Sequence, residues 1–327
     1  MSSTTSTTLT TLLNQVLRNH LTVVSQLFLH DLVAVQWGED AIHDRYAAEY
    51  LPDISRLFRM LEHLLDAGYI VNPGDPDKPY ADAVARVGRT VPETLDIDHA
   101  LLLDIQTAMQ EGAAQCQKVG DRVEADLLNE AVETRAKLIN WIESERQSQV
   151  IDASDQQLVP PNAGTSERSL WEQVNVLLCR LLVIIDQTVC HTFAFRHKGD
   201  EGAANTTWQI SWQSMRDTAS IVNLMVARAW AIDTVSAARA NNIFMPIIVG
   251  DALKIAEIDS ALHRMAALDA ERCVELARSL GDADFERVCL DNQRNQETSA
   301  RGAIPSAAQS YPGLQVMTKK WAYVPVR

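Results

Sequence analysis

Histidines, carboxylates and thiols are the side chains of this sequence that could bind a metal or transfer a proton. A helix that holds a metal usually presents ligands three or four residues apart on one face. Glu62 and His63 are adjacent and have no further ligand at that spacing, and His43, His99 and His197 lie where surface or boundary residues are expected. These residues alone therefore predict no catalytic centre, and any site must be assembled from several helices.

Other catalytic motifs are missing from the sequence. Nothing resembles a phosphate-cradling glycine loop or a nucleophile elbow, so we expect neither a kinase nor a hydrolase. The cysteines are odd in number, lie in helical patterns and form no C-x-x-C pair, which predicts buried thiols in a reducing cytoplasm. They are Cys116, Cys179, Cys190, Cys273 and Cys289.

Charge and hydropathy narrow the classes of partner. The net charge is −14 and no basic stripe is present, which argues against nucleic acid as the main partner. An acidic surface can attract cations, but solubility is the plainer explanation. No window approaches 18 uninterrupted apolar residues, so no membrane span is expected. Met1 to Thr11 is rich in Ser and Thr and resembles a loose arm rather than a signal peptide.

Long amphipathic helices account for most of the chain. It is 46% hydrophobic with 13 Gly and 11 Pro, and apolar residues recur at intervals of three and four. Glycines mark several helix ends, and Pro52 predicts a kink. The proline-rich segment between Tyr69 and Val91 predicts a crossover loop. The predicted helices are about Leu9–Trp37, Ala41–Ala67, Pro92–Val119, Asp121–Glu145, Ser169–Arg196, Asn205–Ile232, Gly250–Leu280 and Asp282–Ala303.

The two halves of the chain match each other in one ungapped register. A shift of 161 residues places Gln26 on Gln187, His30 on His191, Asp98 on Asp259 and Gly120 on Gly281. A shared hydrophobic period could not align polar residues and glycines over such a length. The pattern therefore predicts two tandem units.

The predicted fold is all-α, with two antiparallel four-helix bundles of the ferritin-like kind, each with a long crossover between its second and third helices. The predicted boundaries are a first bundle at 1–147, a linker at 148–167, a second bundle at 168–303 and an aromatic tail at 304–327. The tail carries Tyr311, Trp321 and Tyr323, and we expect these rings to pack on a partner or on the chain's own bundle.

Two stretches resemble bacterioferritins. Residues 21–30, LTVVSQLFLH, followed by Trp37-Gly38, are similar to the first helix of that family. Residues 121–130, DRVEADLLNE, and 139–145, INWIESE, are similar to its last long helix. The resemblance covers nearly all of the first unit and extends more weakly to the second. It implies a ferritin-like fold, but function must be argued at the site.

Bacterioferritins oxidise ferrous iron at two metals, held by a Glu from each of two helices and a Glu-x-x-His from each of the other two. The resemblance implies which positions here correspond to those ligands, and neither half retains a Glu-x-x-His pair. In the first unit they are His20, Asp53, Arg56, Leu102, Arg135 and Leu138. In the second they are Leu181, Ser214, Asp217, His263, Gln296 and Ser299.

Arginine and leucine cannot coordinate iron, so we expect Asp53 to pair with Arg56 or Arg135 where metals would lie. In the second unit Asp217 and His263 could form a hydrogen-bonded pair or a mononuclear metal site, and a register error of one residue would bring in Glu297. A core histidine whose hydrogen bonds are satisfied is the plainer alternative.

The family also binds haem between subunits through a methionine that follows the second-helix glutamate. The corresponding positions are Ile54 and Met215, so only the second unit keeps a thioether. Haem at Met215 is one hypothesis, and Met215 as core filler is the plainer one.

Three functions remain open from the sequence. The preferred hypothesis is a tandem bacterioferritin-like binding or structural subunit, packed unit against unit and able to form homo-oligomers. The alternatives are iron storage or oxidation, alone or with an active ferritin partner, and an adaptor that docks through its tail.

Overall fold

The computed structural model describes residues 3–73, 85–148, 157–243 and 252–302, and the statements below concern those ranges. Nine α-helices and no β-strand occur there, which confirms the predicted all-α class. The helices are α1 Ser3–Trp37, α2 Asp40–Asp66, α3 Val91–Val119, α4 Arg122–Ser148, α5 Ser166–His197, α6 Glu201–Ala227, α7 Thr234–Ala240, α8 Ala252–Leu280 and α9 Ala283–Ser299.

The helices pack as two bundles. In the first, α1 contacts α2 and α3, while α4 contacts α2 and α3. In the second, α5 contacts α6 and α8, while α9 contacts α6 and α8, and the short α7 rests on α5. Each bundle therefore surrounds a central axis toward which all four of its long helices turn side chains.

The helix ends follow the local chemistry of the sequence. Gly38, Gly120 and Gly281 end helices with φ of +76°, +85° and +70°, a left-handed conformation that suits a residue without Cβ. Thr90 caps α3 by accepting a hydrogen bond from the Glu93 amide at 3.3 Å. The turns α1–α2, α3–α4 and α8–α9 are short as a result, so consecutive helices become antiparallel neighbours.

Two predicted helix ends of the second unit are wrong, and one short helix was not predicted. The helix expected over Asn205–Ile232 ends at Ala227, because Ala229 takes a φ of +53° and the backbone turns back at Trp230. The expected crossover contains a helix of its own, α7, capped by Asp233. The last helix ends at Ser299 rather than Ala303.

The predicted boundaries of the first bundle at 1–147, the linker at 148–167 and the second bundle at 168–303 stay predictions, and several segments lie outside the described residues. These are the central part of the first crossover, most of the linker, the stretch with Pro246 and the tail with Tyr311, Trp321 and Tyr323. At the linker's described end, Leu158 is buried, and its amide donates to the Arg89 carbonyl at 2.9 Å.

Helix α5 is the core helix of the molecule. By length and apolar composition it could cross a membrane, contrary to the expectation from uninterrupted apolar runs, but its most apolar window is entirely buried. It contacts α6 and α8 of its own bundle and also α1 and α2 of the other. Burial by protein on every side explains why its apolar residues do not follow a single stripe.

The two bundles meet through α1, α2, α5 and α6. Phe58 of α2 packs against Phe193 of α5 with ring centroids 3.5 Å apart, and against Trp208 of α6 at 5.9 Å. Ser25 of α1 donates a 2.8 Å hydrogen bond to Asp186 of α5, and both side chains are buried. In the described residues the contact between the halves thus combines an aromatic cluster with buried polar contacts, which also include the 2.8 Å hydrogen bond from the Thr234 hydroxyl to the Ala85 carbonyl.

Candidate functional site

An ion-pair cluster lies in the centre of the first bundle. Asp53 of α2 accepts a 2.5 Å hydrogen bond from Arg56 one turn away and a second, shorter one from Arg135 of α4. The side chains of Asp53 and Arg135 are each 1% exposed. The carboxylate therefore pairs with both arginines, where the sequence predicted one or the other.

The charges of this cluster are set by opposing effects. Burial favours the neutral acid, but Arg135 and Arg56 outweigh it and hold the pKa of Asp53 below its usual value. Arg135 has no hydrogen-bond partner at Nε or Nη2 within the described ranges. Its buried charge is therefore balanced chiefly by Asp53, whereas Arg56 also reaches Glu130, 3.5 Å away.

His20 completes this centre as a neutral ring. Its Nε2 lies 3.0 Å from the Asp53 carbonyl oxygen, which can only accept, so Nε2 carries the proton. Burial lowers the pKa of His20 to about 4. Leu102 and Leu138 fill the remaining positions and are buried. A set of one neutral histidine, one ion-paired carboxylate, two guanidiniums and two leucines does not fit the binding of two irons.

The centre of the second bundle is organised by amides. Asp217 of α6 accepts hydrogen bonds from the side-chain amides of Gln213, Asn295 and Gln296, each at 2.9 Å. Burial raises the pKa of Asp217 to about 7, although these three bonds act in the opposite direction. The first bundle thus surrounds its carboxylate with positive charge, and the second surrounds it with neutral donors.

Asp217 and His263 do not form the direct pair that was one of the alternatives from the sequence, because Gln296 lies between them. Its Nε2 donates to Asp217, and its Oε1 is 2.7 Å from Nδ1 of His263. Glu297 is exposed on the outer face of α9, so the alternative register is also wrong. Leu181, Ser214 and Ser299 are buried in the same region. Every sequence-predicted position thus lies inside a bundle, but the polar contacts differ from those expected.

A second polar network recurs in both bundles. Nδ1 of His30 is 2.8 Å from Asp98, and Nδ1 of His191 is 2.8 Å from Asp259, each pair joining the first and third long helices of its bundle. Gln26 donates to Asp98 at 3.1 Å. The polar residues that aligned the two halves therefore meet in the fold. The repetition of these residues in the sequence could be seen, but it did not show that they would be in contact.

Ile54 and Met215, which the resemblance aligns with the haem-binding methionine, are both buried, at 3% exposure. They lie on α2 and α6, the helices that face the opposite bundle. Ile54 has no atom that could bind a haem iron, so of these two positions only Met215 carries a thioether.

Sequence reasoning missed a buried acid at the end of the first bundle. Glu124 in the first turn of α4 is fully buried, and neither carboxylate oxygen has a hydrogen-bond partner in the described part of the chain. Burial, together with Asp121 nearby, raises its pKa to about 8. His63 does not pair with Glu124, because its Nε2 lies 2.8 Å from Oδ1 of Asp121. The helical pattern carried no signal of this burial.

Comparison with known proteins agrees with the fold. A family model described as a ferritin-like domain matches residues 10–148. The chain is 26% identical to a bacterioferritin of Mycobacterium leprae (strain TN) over 134 residues, 41% of this chain and 80% of that protein. It is 29% identical over 136 residues to bacterioferritin BfrA of Mycobacterium tuberculosis (strain ATCC 25618 / H37Rv), with the same coverage. A bacterial ferritin of Synechocystis sp. is 26% identical over 134 residues, 41% of this chain and 82% of that protein.

Proposed function

We propose that this chain is a tandem bacterioferritin-like protein that has lost its di-iron chemistry, because residues 10–148 match a family model described as a ferritin-like domain and are similar to bacterioferritins. It acts as a binding or structural subunit in the cytoplasm. The observation that carries the proposal is the Asp53 carboxylate, which is paired with Arg56 and Arg135 where the family would place metal ligands. Positive side chains repel ferrous iron, and the one carboxylate is already neutralised.

The test is aerobic addition of ferrous iron to the purified full chain. We expect the absorbance of ferric products to grow no faster than in protein-free buffer, with an active bacterioferritin as the positive control. The same samples should be desalted and their iron content measured. Catalysed formation of a retained ferric core would contradict the proposal and would favour the alternative of iron storage, alone or beside an active ferritin partner.

A haem at Met215 is a second candidate, supported by the position of α6 against α1 at the junction of the two bundles. Met215 would supply one axial ligand, and a haem held there would provide a centre for electron transfer. Trp208 and Trp212, whose ring centroids are 6.0 Å apart on the same helix, would surround it with apolar surface.

Haemin titration tests this candidate. If Met215 ligates the iron, wild-type protein gives a saturable Soret band, and Met215→Leu loses it or shifts it. Ile54→Met, which places a thioether on the first unit, should change the spectrum toward two sulfur ligands. No saturable band in the wild type, or the same band in Met215→Leu, would remove Met215 as a ligand.

We also propose how the two units pack and how whole chains assemble. Bacterioferritin-like packing of one unit on the other is supported by the contacts of α1 and α2 with α5 and α6. We propose that such chains form homo-oligomers through other surfaces. An adaptor role for the tail stays a prediction from its aromatic residues, since the tail lies outside the described residues.

A further inference from the structure

A cavity of about 450 Å³ opens at one end of the second bundle. Its wall is formed by all four long helices of that bundle, with Thr207 and Ile210 from α6 and His263 from α8. Phe195 of α5 and Gly302, just after α9, complete the mouth. The cavity thus runs from the bundle end toward the centre that contains His263.

The first bundle is closed at the corresponding place. The shift of 161 residues relates Thr207 to Tyr46 and Gly302 to Trp141. Tyr46 and Trp141 pack edge to face with ring centroids 6.0 Å apart, and Arg45 lies over Trp141. Two large rings in one bundle are replaced by a threonine and a glycine in the other. Smaller side chains at these two positions explain why the space is open.

The same replacement uncovers a carboxylate. In the first bundle the Tyr46 hydroxyl donates to Asp98 at 2.5 Å, and the Asp98 side chain is 0% exposed. In the second bundle Asp259 keeps its histidine, His191, but has Thr207 in place of the tyrosine, and its side chain is 17% exposed. Asp259 lines the cavity. The lining surface is mostly carbon, and it also carries the Asp259 carboxylate, Arg301 and several Ser and Thr hydroxyl groups.

The hydrogen bonds of Gln296 fix the proton on His263. Because the amide Nε2 of Gln296 donates to Asp217, its Oε1 must be the atom that faces His263. A carbonyl oxygen can only accept, so Nδ1 of His263 is the donor. Burial lowers the pKa of His263, which keeps the ring neutral. Nε2 then carries a lone pair, and it has no partner among the described residues.

We propose that this cavity binds a small apolar molecule that carries a hydroxyl donor, of the phenol class, with the hydroxyl on Nε2 of His263. The ring of such a ligand matches the apolar wall, and its O–H supplies the donor that Nε2 lacks. Enclosed apolar cavities of about 150 Å³ already bind benzene-sized molecules. The first bundle has Leu102 in place of His263 and so lacks this acceptor, and the packed rings of Tyr46 and Trp141 occupy the corresponding bundle end.

The test is calorimetric titration of the full chain with phenol and with anisole, its methyl ether, which has no donor. We expect one saturable phenol site. Thr207→Tyr restores the first bundle's residue and should abolish binding of both compounds by filling the space. His263→Leu, also the first bundle's residue, should weaken phenol binding about five- to tenfold, the worth of one hydrogen bond, and leave anisole unchanged.

The nitrogen resonances of labelled histidine provide a second readout, because phenol should shift Nε2 of His263 more than Nδ1. Circular dichroism confirms that both variants fold. Absence of a saturable phenol site would overturn the proposal, as would equal phenol affinity in Thr207→Tyr or in His263→Leu. Iron assays of the same preparations give an independent result, so failure here is separable from failure of the proposed function.

Discussion

Replacing Asp53 with alanine is expected to destabilise the protein by about 3–5 kcal/mol, the range typical of breaking one side of a buried ion pair. The loss arises because Arg135 is buried, and Asp53 is its principal counter-charge. Arg56 can turn toward Glu130, so it contributes less to the penalty. Urea unfolding at neutral pH measures the change in free energy.

The double variant Asp53→Ala, Arg135→Met is the matched control. Removing both charges leaves no uncompensated guanidinium, so most of the lost stability should return. The cycle is completed by Arg135→Met alone, which leaves Arg56 to pair with Asp53. A loss below about 1 kcal/mol in Asp53→Ala, or no recovery in the double variant, would show that these groups are solvated and not a buried pair.

Replacing Glu124 with glutamine is expected to stabilise the protein increasingly as the pH rises. The pKa of Glu124 is about 8 in the fold against an ordinary value of 4.5, so the folded state holds a proton that the unfolded state releases. Wild-type stability should therefore fall between about pH 4.5 and pH 8. Glutamine has no proton to lose. At one pKa unit per 1.4 kcal/mol, the gain at pH 8.5 should reach about 2–4 kcal/mol.

Glu133→Gln provides the control for that prediction, since Glu133 is exposed on the same helix. Unfolding free energies of the three proteins should be measured from pH 5 to pH 9. The difference between Glu124→Gln and wild type should be small at pH 5 and grow toward pH 8.5, while Glu133→Gln follows wild type. A constant difference across this range would mean that Glu124 titrates near its ordinary pKa.

The helices were predictable because their signals are local. Glycines at positions 38, 120 and 281 mark turns that the structure places there, and the apolar periodicity gave the helix class and most ends within a few residues. The early end of α6 was not predictable. It depends on Ala229, an alanine in the left-handed region, and no sequence pattern marks such a residue.

The site was predictable only in part. The register of the resemblance brought Asp53 and Arg135 together although 82 residues separate them. The register did not show that Gln296 would lie between Asp217 and His263. That contact depends on how side-chain amides pack around the Asp217 carboxylate in the folded bundle. Glu124 was missed since its burial results from packing at the bundle end.

The cavity depends on a comparison of two units in three dimensions. Tyr46 and Thr207 occupy equivalent positions in the sequence, but only the fold shows that they stand at the mouth of a bundle. In the sequence, the replacement of Tyr46 by Thr207 and of Trp141 by Gly302 are two unrelated differences. In the fold, the two positions are neighbours at one bundle end. The size of side chains at a bundle end is therefore as informative as the identity of its polar residues.

The hydrogen bond from Ser25 to Asp186 joins residues that are equivalent under the shift of 161 positions. Such a contact lies where a dimer of identical units would have its rotation axis, and there every residue would meet its own copy. Two copies of the first unit would oppose serine to serine, and two copies of the second would bury two aspartates against each other, which like charges disfavour. The second half is therefore better suited to pair with the first half than with a copy of itself, whether the first half comes from its own chain or from a neighbouring one.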